Sequence, residues 1–529
     1  MNSVSLVLPL ADGGKPVIPS FGGATPCVRN NRGFCWGWFS SHWGDVFGPA
    51  LVQHIVLTVV AVGIGSVIAL AAAIAAYRFG WLAPPVTAFT GFLYTIPSLA
   101  LFQILVPVTG LTIFTAEIAL VSYTLLIIFR NALTGLTEVP DEVREAANGM
   151  GLTPTQRLLR VELPLAVPAI VAGVRVAVVT VISLGTVAAY VVNMGLGAPI
   201  LNALNSGPFK TEVVGGAVLA ILLAVVADGV LVIVQRLITP WTAARAGGAV
   251  RRGPRVGLRR LVPSRVAARG GMTALILLPL MLAESTHGKA ATGGGVGQAF
   301  VRAFPFIVDH PALVLQKVVE HLEVSFAAVG ISIAIAVPIG MWLGHIHKGS
   351  FVAINVGNMG RALPSLAVLS LLLVLVGIGF TNVMIALIIL AVPPILTNAY
   401  VAVDEVDRDT VEAARGMGMR PLEVLRRVEV PLALPLMFVG IRTATVYVIA
   451  TATLAGIFGG GTLGAIIVNQ ASYGLSGVLA GAILVAALAL TFELGFGGVQ
   501  RAITPRGLRT RPGRANAADK TEAPETVGA

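Results

Sequence analysis

The chain has few charged and few aromatic residues for its length. Asp, Glu, Lys and Arg make up 12 % of its 529 residues, whereas a soluble protein has about 25 %. Hydrophobic residues make up 56 %, and the mean hydropathy is +0.87. These values exclude a water-soluble enzyme. Apolar runs of about 20 residues recur along the chain, so the sequence predicts a multi-pass membrane protein.

The composition also distinguishes between the two ways of spanning a membrane. Aromatics are 6 % of the residues, against 60 glycines and 31 prolines, which is typical of close-packed helices rather than of a barrel. The formal net charge is +11, but the basic residues lie in short loops between apolar runs, as the positive-inside rule requires. We therefore expect an all-α bundle in contact with lipid and no nucleic-acid partner.

An internal repeat determines the architecture. With an offset of 267 residues, His54 matches His321 and the segment 97–100 (PSLA) matches 364–367. The alignment needs no gap as far as Asn202 and Asn469, and it resumes after a two-residue deletion. The chain is thus predicted to contain two parallel, homologous five-helix halves. The predicted spans are 53–77, 85–107, 112–130, 165–191, 213–237, 319–344, 351–377, 380–402, 432–457 and 476–498.

Each half has five spans, an odd number, so its two ends lie on opposite sides of the membrane. Two halves in the same orientation therefore require one extra membrane crossing between them. Eight arginines and no acidic residue lie between 242 and 270, which predicts a cytoplasmic linker. The apolar segment 272–283 follows. The need for one crossing between the halves favours a transmembrane helix there, which gives about 11 transmembrane helices. The alternatives are an interfacial segment and a cleaved signal-like segment. The predicted divisions are an external segment 1–49, two repeated membrane domains 50–240 and 315–505, the linker region 241–314 and a disordered cytoplasmic tail 506–529.

The external N-terminal segment carries the only two cysteines, Cys27 and Cys35. A disulfide is chemically permitted outside the cell, and two unpaired thiols are the alternative. Trp36, Trp38 and Trp43 suit the outer membrane interface.

A polar loop with the same pattern follows the third span of each half. Glu-Ala-Ala is followed by three residues, a glycine, nine residues, and then Val-Glu, an aliphatic residue and a proline. The pattern predicts a short helix that ends at the glycine-rich segment, because glycine readily adopts a left-handed conformation. A second short helix is predicted to begin at Pro154 or Pro421, with a capping box formed by Thr153 and Gln156. Pro164 and Pro431 are predicted to start the return into the membrane.

These duplicated loops resemble the coupling loops of ABC importer permeases, in which the loop contacts the ATPase subunits. The segments YTIPSLAL, RALPSLAVL, RVEVPLALP and GIRTATVYVIATATLAGIFGGGTLG are similar to osmoprotectant (glycine betaine, choline, carnitine) permeases in particular. The resemblance covers about 50–240 and 315–505 and implies two permease units fused in one chain, joined by a linker helix. It assigns ATPase coupling to Glu145, Ala146, Ala147, Gly151, Pro164, Glu412, Ala413, Ala414, Gly418 and Pro431.

The resemblance implies a multi-pass importer of a bacterial cytoplasmic membrane that works with two cytoplasmic ATPases and an extracytoplasmic solute-binding protein. The sequence has no GxxxxGK[ST] phosphate loop, so ATP and magnesium are expected in the partner and no cofactor in this chain, which is expected not to be an enzyme. Another small solute (amino acid, ferric iron, thiamine) is the main alternative, and a secondary transporter built from parallel repeats is a weaker one. No metal site is expected, and His345 and His347 are interpreted as loop residues.

Polar residues repeated within apolar spans are candidates for the translocation pathway, because an unpaired polar group in hydrocarbon is costly. The candidates are Pro97, Ser98, Asn202, Pro364, Ser365 and Asn469. The two prolines could free carbonyls that line the pore, and a structural kink is the alternative reading. Arg175 and Arg442 lie inside the fourth span of each half, and a partner within the bundle or snorkelling is favoured over contact with a cationic substrate. Few aromatics are repeated in these spans, so selectivity is assigned to the binding protein.

Overall fold

The structure is a computed structural model. It describes residues 26–31, 33–206, 209–239, 296–347 and 363–504, together with Gly349, Gly357 and Gly360. The predicted crossing at 272–283, most of the basic linker and the C-terminal tail lie outside the described residues. The described part is helical and contains no β-strand, as the composition predicts.

The first half is a series of eight helical elements. Their bounds are α1 Gly48–Arg78, α2 Ala83–Thr95, α3 Ser98–Thr109, α4 Ile113–Thr137, α5 Asp141–Gly149, α6 Pro154–Val192, α7 Gly197–Asn205 and α8 Lys210–Ile238. The second half repeats this order after an additional helix, α9. Its elements are α9 Val296–Asp309, α10 Pro311–His345, α11 Ser365–Val376, α12 Phe380–Asp404, α13 Arg408–Gly416, α14 Pro421–Phe458, α15 Gly464–Val468 and α16 Gln470–Ile503.

Eight helices of the described residues are long and apolar enough to span a membrane, and the bent pair α2–α3 makes nine. They coincide with the predicted spans except for 351–377, of which only α11 and a few preceding residues are described. The predicted starts at 165 and 432 are too late, because α6 and α14 already begin at Pro154 and Pro421. α9 was not predicted from the sequence, and it packs against α16 through Ala303 and Phe306.

The predicted second span of the first half is broken in the middle. α2 and α3 meet at an angle of 97°, with Ile96 in an extended conformation and Pro97 at the start of α3. Proline has no N–H and disfavours helical backbone in the preceding residue, which explains the break. The carbonyl of Ile96, freed by the break, accepts a hydrogen bond from the Tyr123 hydroxyl of α4. The kink predicted at Pro97 is confirmed, and this carbonyl has a protein partner.

Each half contains a buried histidine that joins two long helices, α1 to α6 in the first half and α10 to α14 in the second. His54 Nε2 lies 3.0 Å from the Ile182 carbonyl oxygen, and His321 Nε2 lies 3.0 Å from that of Ile449. Because a carbonyl only accepts, Nε2 donates in both halves. The other ring nitrogen differs: His54 Nδ1 accepts from the Leu196 N–H at 3.1 Å, whereas His321 Nδ1 is buried without a partner among the described residues.

The two halves interlock through the short, bent helices. α3 of the first half packs against α16 of the second, and α11 of the second half packs against α8 of the first. One apolar core runs through both halves and includes Phe102, Leu366 and Phe458, which are fully buried. Each half therefore completes the packing of the other.

The arginine inside the fourth span has an acidic partner in both halves. Arg175 Nε and Nη2 donate to the two carboxylate oxygens of Asp228 on α8, at 2.5 and 3.1 Å. Arg442 makes the same two contacts with Glu493 on α16, and its Nε lies 3.1 Å from Oε2. The bidentate geometry confirms the prediction of pairing within the bundle.

Removing one partner of the Arg442–Glu493 pair should destabilise the protein more than removing both. Glu493→Leu leaves the Arg442 charge with only the Gln500 side chain, whose oxygen lies 3.3 Å from Nη1. We expect a loss of about 3 kcal/mol in the free energy of unfolding, the cost of an unpaired charge near a helix centre in a membrane. The double variant Arg442→Leu, Glu493→Leu should regain most of it. Equal losses in the single and double variants, measured by unfolding in SDS, would show that the charge pairing is unimportant.

The segment before α1, which is predicted to be external, is closed by a disulfide between Cys27 and Cys35, so the first of the two alternatives applies. The Cys35 N–H donates to the Thr211 hydroxyl at 2.9 Å, and the Trp38 ring packs edge-on against Phe209. The segment is thus attached to the N-terminal end of α8. Of the predicted interface tryptophans, Trp36 and Trp43 are exposed there.

Candidate functional site: the paired coupling loops

The two Glu-Ala-Ala loops form short helices, α5 and α13, at the predicted cytoplasmic end of the bundle. Each helix ends before a glycine in the left-handed region, Gly151 at φ +77° and Gly418 at φ +83°. The Gly151 N–H donates to the Asn148 carbonyl, and Gly418 donates to Arg415. The predicted role of the glycines in ending these helices is confirmed.

The start of the following helix also agrees with the sequence. Thr153 and Gln156 form a reciprocal capping box, with Thr153 N–H to Gln156 Oε1 at 3.0 Å and Gln156 N–H to Thr153 Oγ1 at 3.4 Å. In the second copy the Arg420 N–H donates to Glu423 at 3.0 Å. The helical rods α6 and α14 therefore begin at a defined angle to α5 and α13.

The prediction that the second helix of each loop is short is wrong, because this helix continues through Pro164 and Pro431. That the two prolines start the return into the membrane stays a prediction. α6 is continuous from Pro154, and a π-helical turn at Leu158–Glu162 precedes Pro164. The Leu163 N–H donates to the Leu158 carbonyl five residues back. This wider turn accommodates a proline, which lacks an N–H and crowds the preceding turn. α14 has the same turn at Leu425–Glu429 before Pro431.

In each Glu-Ala-Ala triplet the first two residues lie on the surface and the third is buried. Glu145 and Ala146 are exposed, as are Glu412 and Ala413, whereas Ala147 and Ala414 are buried in the protein itself. The second alanine thus fixes the short helix to the bundle and leaves the first two residues available to a partner.

A methionine that the sequence reading did not single out lies at the tip of each loop. Met150 is 73 % exposed and Met417 is 71 % exposed, each directly before the left-handed glycine. An exposed, flexible, polarizable side chain is typical of adaptable contact surfaces. The repetition of the methionine at the same position of both motifs was the signal available in the sequence.

The first loop is held by charged groups. Glu162 is 1 % exposed, and its Oε1 accepts from Arg157 Nε at 2.9 Å, with Arg144 Nε at 3.7 Å. Arg157 also donates to Asn148 Oδ1 at 2.8 Å, and Arg144 donates to the Leu136 carbonyl at 3.1 Å. A buried carboxylate with two arginine neighbours thus connects α5 to the base of α6.

The second loop is held by apolar packing. Its equivalents of Arg144 and Arg157 are Val411 and Val424, which are buried with Ala414 in an aliphatic cluster. The buried carboxylate remains as Glu429, and His345 Nδ1 lies 2.6 Å from its Oε2. His345 is therefore the last residue of α10 and a partner of the loop, not a loop residue as predicted. In the described part of the chain, no group of three or more metal-ligating side chains is found.

The predicted pathway residues lie at helix ends near the contact between the halves. Pro97 and Pro364 are buried and precede α3 and α11, and Ser98 and Ser365 are the first residues of these helices. Asn202 and Asn469 are both exposed. The Asn469 side chain caps α16 by accepting from the Ser472 N–H at 3.1 Å.

The geometry of two repeated five-helix units agrees with a comparison against protein families. The family described as binding-protein-dependent transport system inner membrane component matches twice, over residues 61–243 and 336–506. The chain belongs to this family. It is an inner-membrane permease with two family units in one polypeptide.

Individual relatives correspond to one half of this permease. A glycine betaine/carnitine/choline transport system permease protein of Bacillus subtilis is 38 % identical over 205 residues, which are 39 % of this chain and 94 % of the relative. A carnitine transport permease protein of Listeria monocytogenes is 39 % identical over 191 residues, 36 % of this chain and 88 % of the relative. An osmoprotectant import permease protein of Salmonella typhimurium is 38 % identical over 193 residues, 36 % and 89 % of the two chains.

Proposed function

We propose that this permease moves a quaternary-amine osmoprotectant such as glycine betaine, choline or carnitine into the cell. The support is the agreement of its relatives, which are named for these three solutes and for osmoprotectants in general. These solutes combine a trimethylammonium group with a small polar group, and none of them crosses a bilayer unaided.

The energy would come from two copies of a cytoplasmic ABC ATPase, which bind ATP and magnesium and dock on α5 and α13. The exposed faces of these helices support this proposal. In the first copy Glu145, Ala146 and Met150 offer one carboxylate and a small apolar surface, and the second copy repeats them. A carboxylate on a helix face that otherwise carries small alanine side chains can approach a groove of the partner closely and pair with a basic residue there.

The connection between α5 and α6 suggests how ATPase motion would reach the pathway. Ala147 of the docking helix is buried in the protein, and Asn148 Oδ1 of the same helix accepts from Arg157 at 2.8 Å, at the base of a continuous 39-residue helix. At its other end α6 contacts the second half, where the Tyr190 hydroxyl donates to the Val468 carbonyl at 2.7 Å. Displacement of the docking helix would therefore tilt α6 at the contact between the halves, close to Ser98, Ser365, Asn202 and Asn469.

An external solute-binding protein would deliver the solute, as the family description indicates. The test is uptake of labelled glycine betaine, choline and carnitine by transporter-deficient cells that express the permease with its ATPase and binding protein. We expect uptake that is lost when the binding protein is omitted. Uptake of a labelled amino acid or of thiamine instead, with none of the three amines carried, would contradict the substrate assignment.

A further inference from the structure

On α5 the docking glutamate has no basic neighbour on the exposed helix face. Residues three or four positions apart lie next to each other on a helix, so Glu145 has Asp141 and Asn148 beside it, and all three are exposed. Glu142 is exposed as well. The single arginine of the helix, Arg144, is 22 % exposed and donates to Asp141 Oδ1 at 2.8 Å, whereas Glu145 makes no ion pair with another described residue. The exposed face of α5 is therefore anionic.

On α13 the equivalent glutamate lies between two arginines. At the offset of 267 residues, Arg408 and Arg415 occupy the positions of the two neighbours just described, and both are exposed, as is Glu412 itself. Arg408 comes four residues before Glu412 and Arg415 three residues after it, so each lies next to the carboxylate on the helix face. Asp409 adds a second exposed negative charge. The exposed face of α13 therefore carries two charges of each sign and is balanced.

A basic groove in the ATPase distinguishes between these two faces. The proposed contact pairs each docking glutamate with a basic residue of the partner. The anionic face of α5 attracts such a groove. At α13 the basic residue of the partner must compete with two arginines for Glu412 and is repelled by both of them. Charges at a surface interact over about 10 Å at 0.1 M salt and over about 3 Å at 1 M, so this distinction is lost at high salt.

We propose that α5 and α13 bind copies of the same ATPase with unequal strength, α5 through a tight, salt-dependent contact and α13 through a weaker one that depends little on salt. The apolar part of the contact is common to both helices, because Ala146 and Met150 on α5 are matched by Ala413 and Met417 on α13, and all four are exposed. The proposal rests on the proposed function, since it describes how the same docking helices bind the same partner. The ATPase of the second half is then the first to leave when the complex is diluted.

The first experiment uses the wild-type permease in nanodiscs and its purified ATPase, free of nucleotide and at concentrations where the ATPase is monomeric. Binding is measured at low salt, about 0.05 M, and at high salt, about 0.5 M. We expect two dissociation constants about 10-fold apart at low salt, which come within about 3-fold of each other at high salt. A single affinity at both salt concentrations would overturn the proposal, and this measurement does not depend on the folding of any variant.

The second experiment transfers the charges of α5 to α13. Glu145→Arg leaves only the α13 contact, and in this background Arg408→Asp with Arg415→Asn introduces the residues that α5 carries at these positions. We expect this charge-transfer variant to bind the ATPase about 10-fold more tightly at low salt, a gain that misfolding cannot produce. The matched control in the same background is Arg236→Asp with Arg501→Asn, an equal change in net charge at the exposed C-terminal ends of α8 and α16. It should stay within about 2-fold of the background.

The results separate unequal docking from docking itself. Unchanged or weaker binding by the charge-transfer variant contradicts only the unequal strength of the two contacts, when the double variant Glu145→Arg, Glu412→Arg has lost the ATPase. An equal gain in the control variant would show an effect of net charge alone and would overturn the inference in the same way. ATPase binding that persists in the double variant contradicts the proposed docking function.

Discussion

The double variant Glu145→Arg, Glu412→Arg is expected to abolish uptake. Both carboxylates are exposed on the short helices α5 and α13 and carry the proposed contact with the ATPases. Reversing a charge in a docking surface replaces attraction with repulsion and costs about 2–5 kcal/mol at each site. Two such losses should release the ATPases at ordinary protein concentrations. Uptake of labelled substrate and co-purification of the ATPase should both fall to background.

A matched control is available one turn before each coupling helix. Glu138 and Glu405 occupy equivalent positions at the C-terminal ends of α4 and α12, and both are exposed. The variant Glu138→Arg, Glu405→Arg makes the same change in charge, and a positive charge is favourable at a helix C-terminus. It should keep uptake and ATPase binding. Normal ATPase co-purification with the Glu145, Glu412 variant would refute the docking role of the two helices.

Gly464→Ala should prevent the second half from folding. A Cβ at this position would lie 1.8 Å from the Thr453 carbonyl oxygen, and the equivalent Gly197 has 2.0 Å to the Thr186 carbonyl. In both halves the atom that the Cβ would meet is a backbone oxygen, so no side chain can move to relieve the clash. We expect a loss of more than about 3 kcal/mol in the free energy of unfolding. The measurement is the yield of monodisperse protein in detergent and its thermal unfolding.

Gly495 provides the control for this substitution. It lies within α16, and a Cβ there would meet no atom within 4 Å. Gly495→Ala should therefore leave the yield unchanged or raise it, since alanine is the better helix former by about 1 kcal/mol. A normal yield of Gly464→Ala would mean that α14 and α15 separate at little cost and that the close approach is not required.

The sequence predicted the features that depend on local chemistry. The ends of α5 and α13 follow from glycine conformation, and the start of α6 follows from the Thr153–Gln156 capping box. The break at Pro97 also follows from one residue. Such features require only residues close in the chain, and the repeat supports each of them twice.

Features that depend on distant residues were harder to predict. The partners of Arg175 and Arg442 were missed because Asp228 and Glu493 lie beyond the two-residue deletion, where the offset of 267 residues no longer matches them. Continuity of α6 through Pro164 was missed because a π-helical turn has no strong sequence signature.

The interlocking of the two halves has a consequence for biosynthesis. The faces of α3 and α8 that are covered in the finished protein are covered by α16 and α11, which belong to the second half of the chain. At about 5–20 residues per second, the ribosome needs tens of seconds to add them after α8 has entered the membrane. During that time these faces contact lipid or the insertion machinery. A chain that stops after Ile238 would keep them uncovered and present the membrane proteases with an incomplete product.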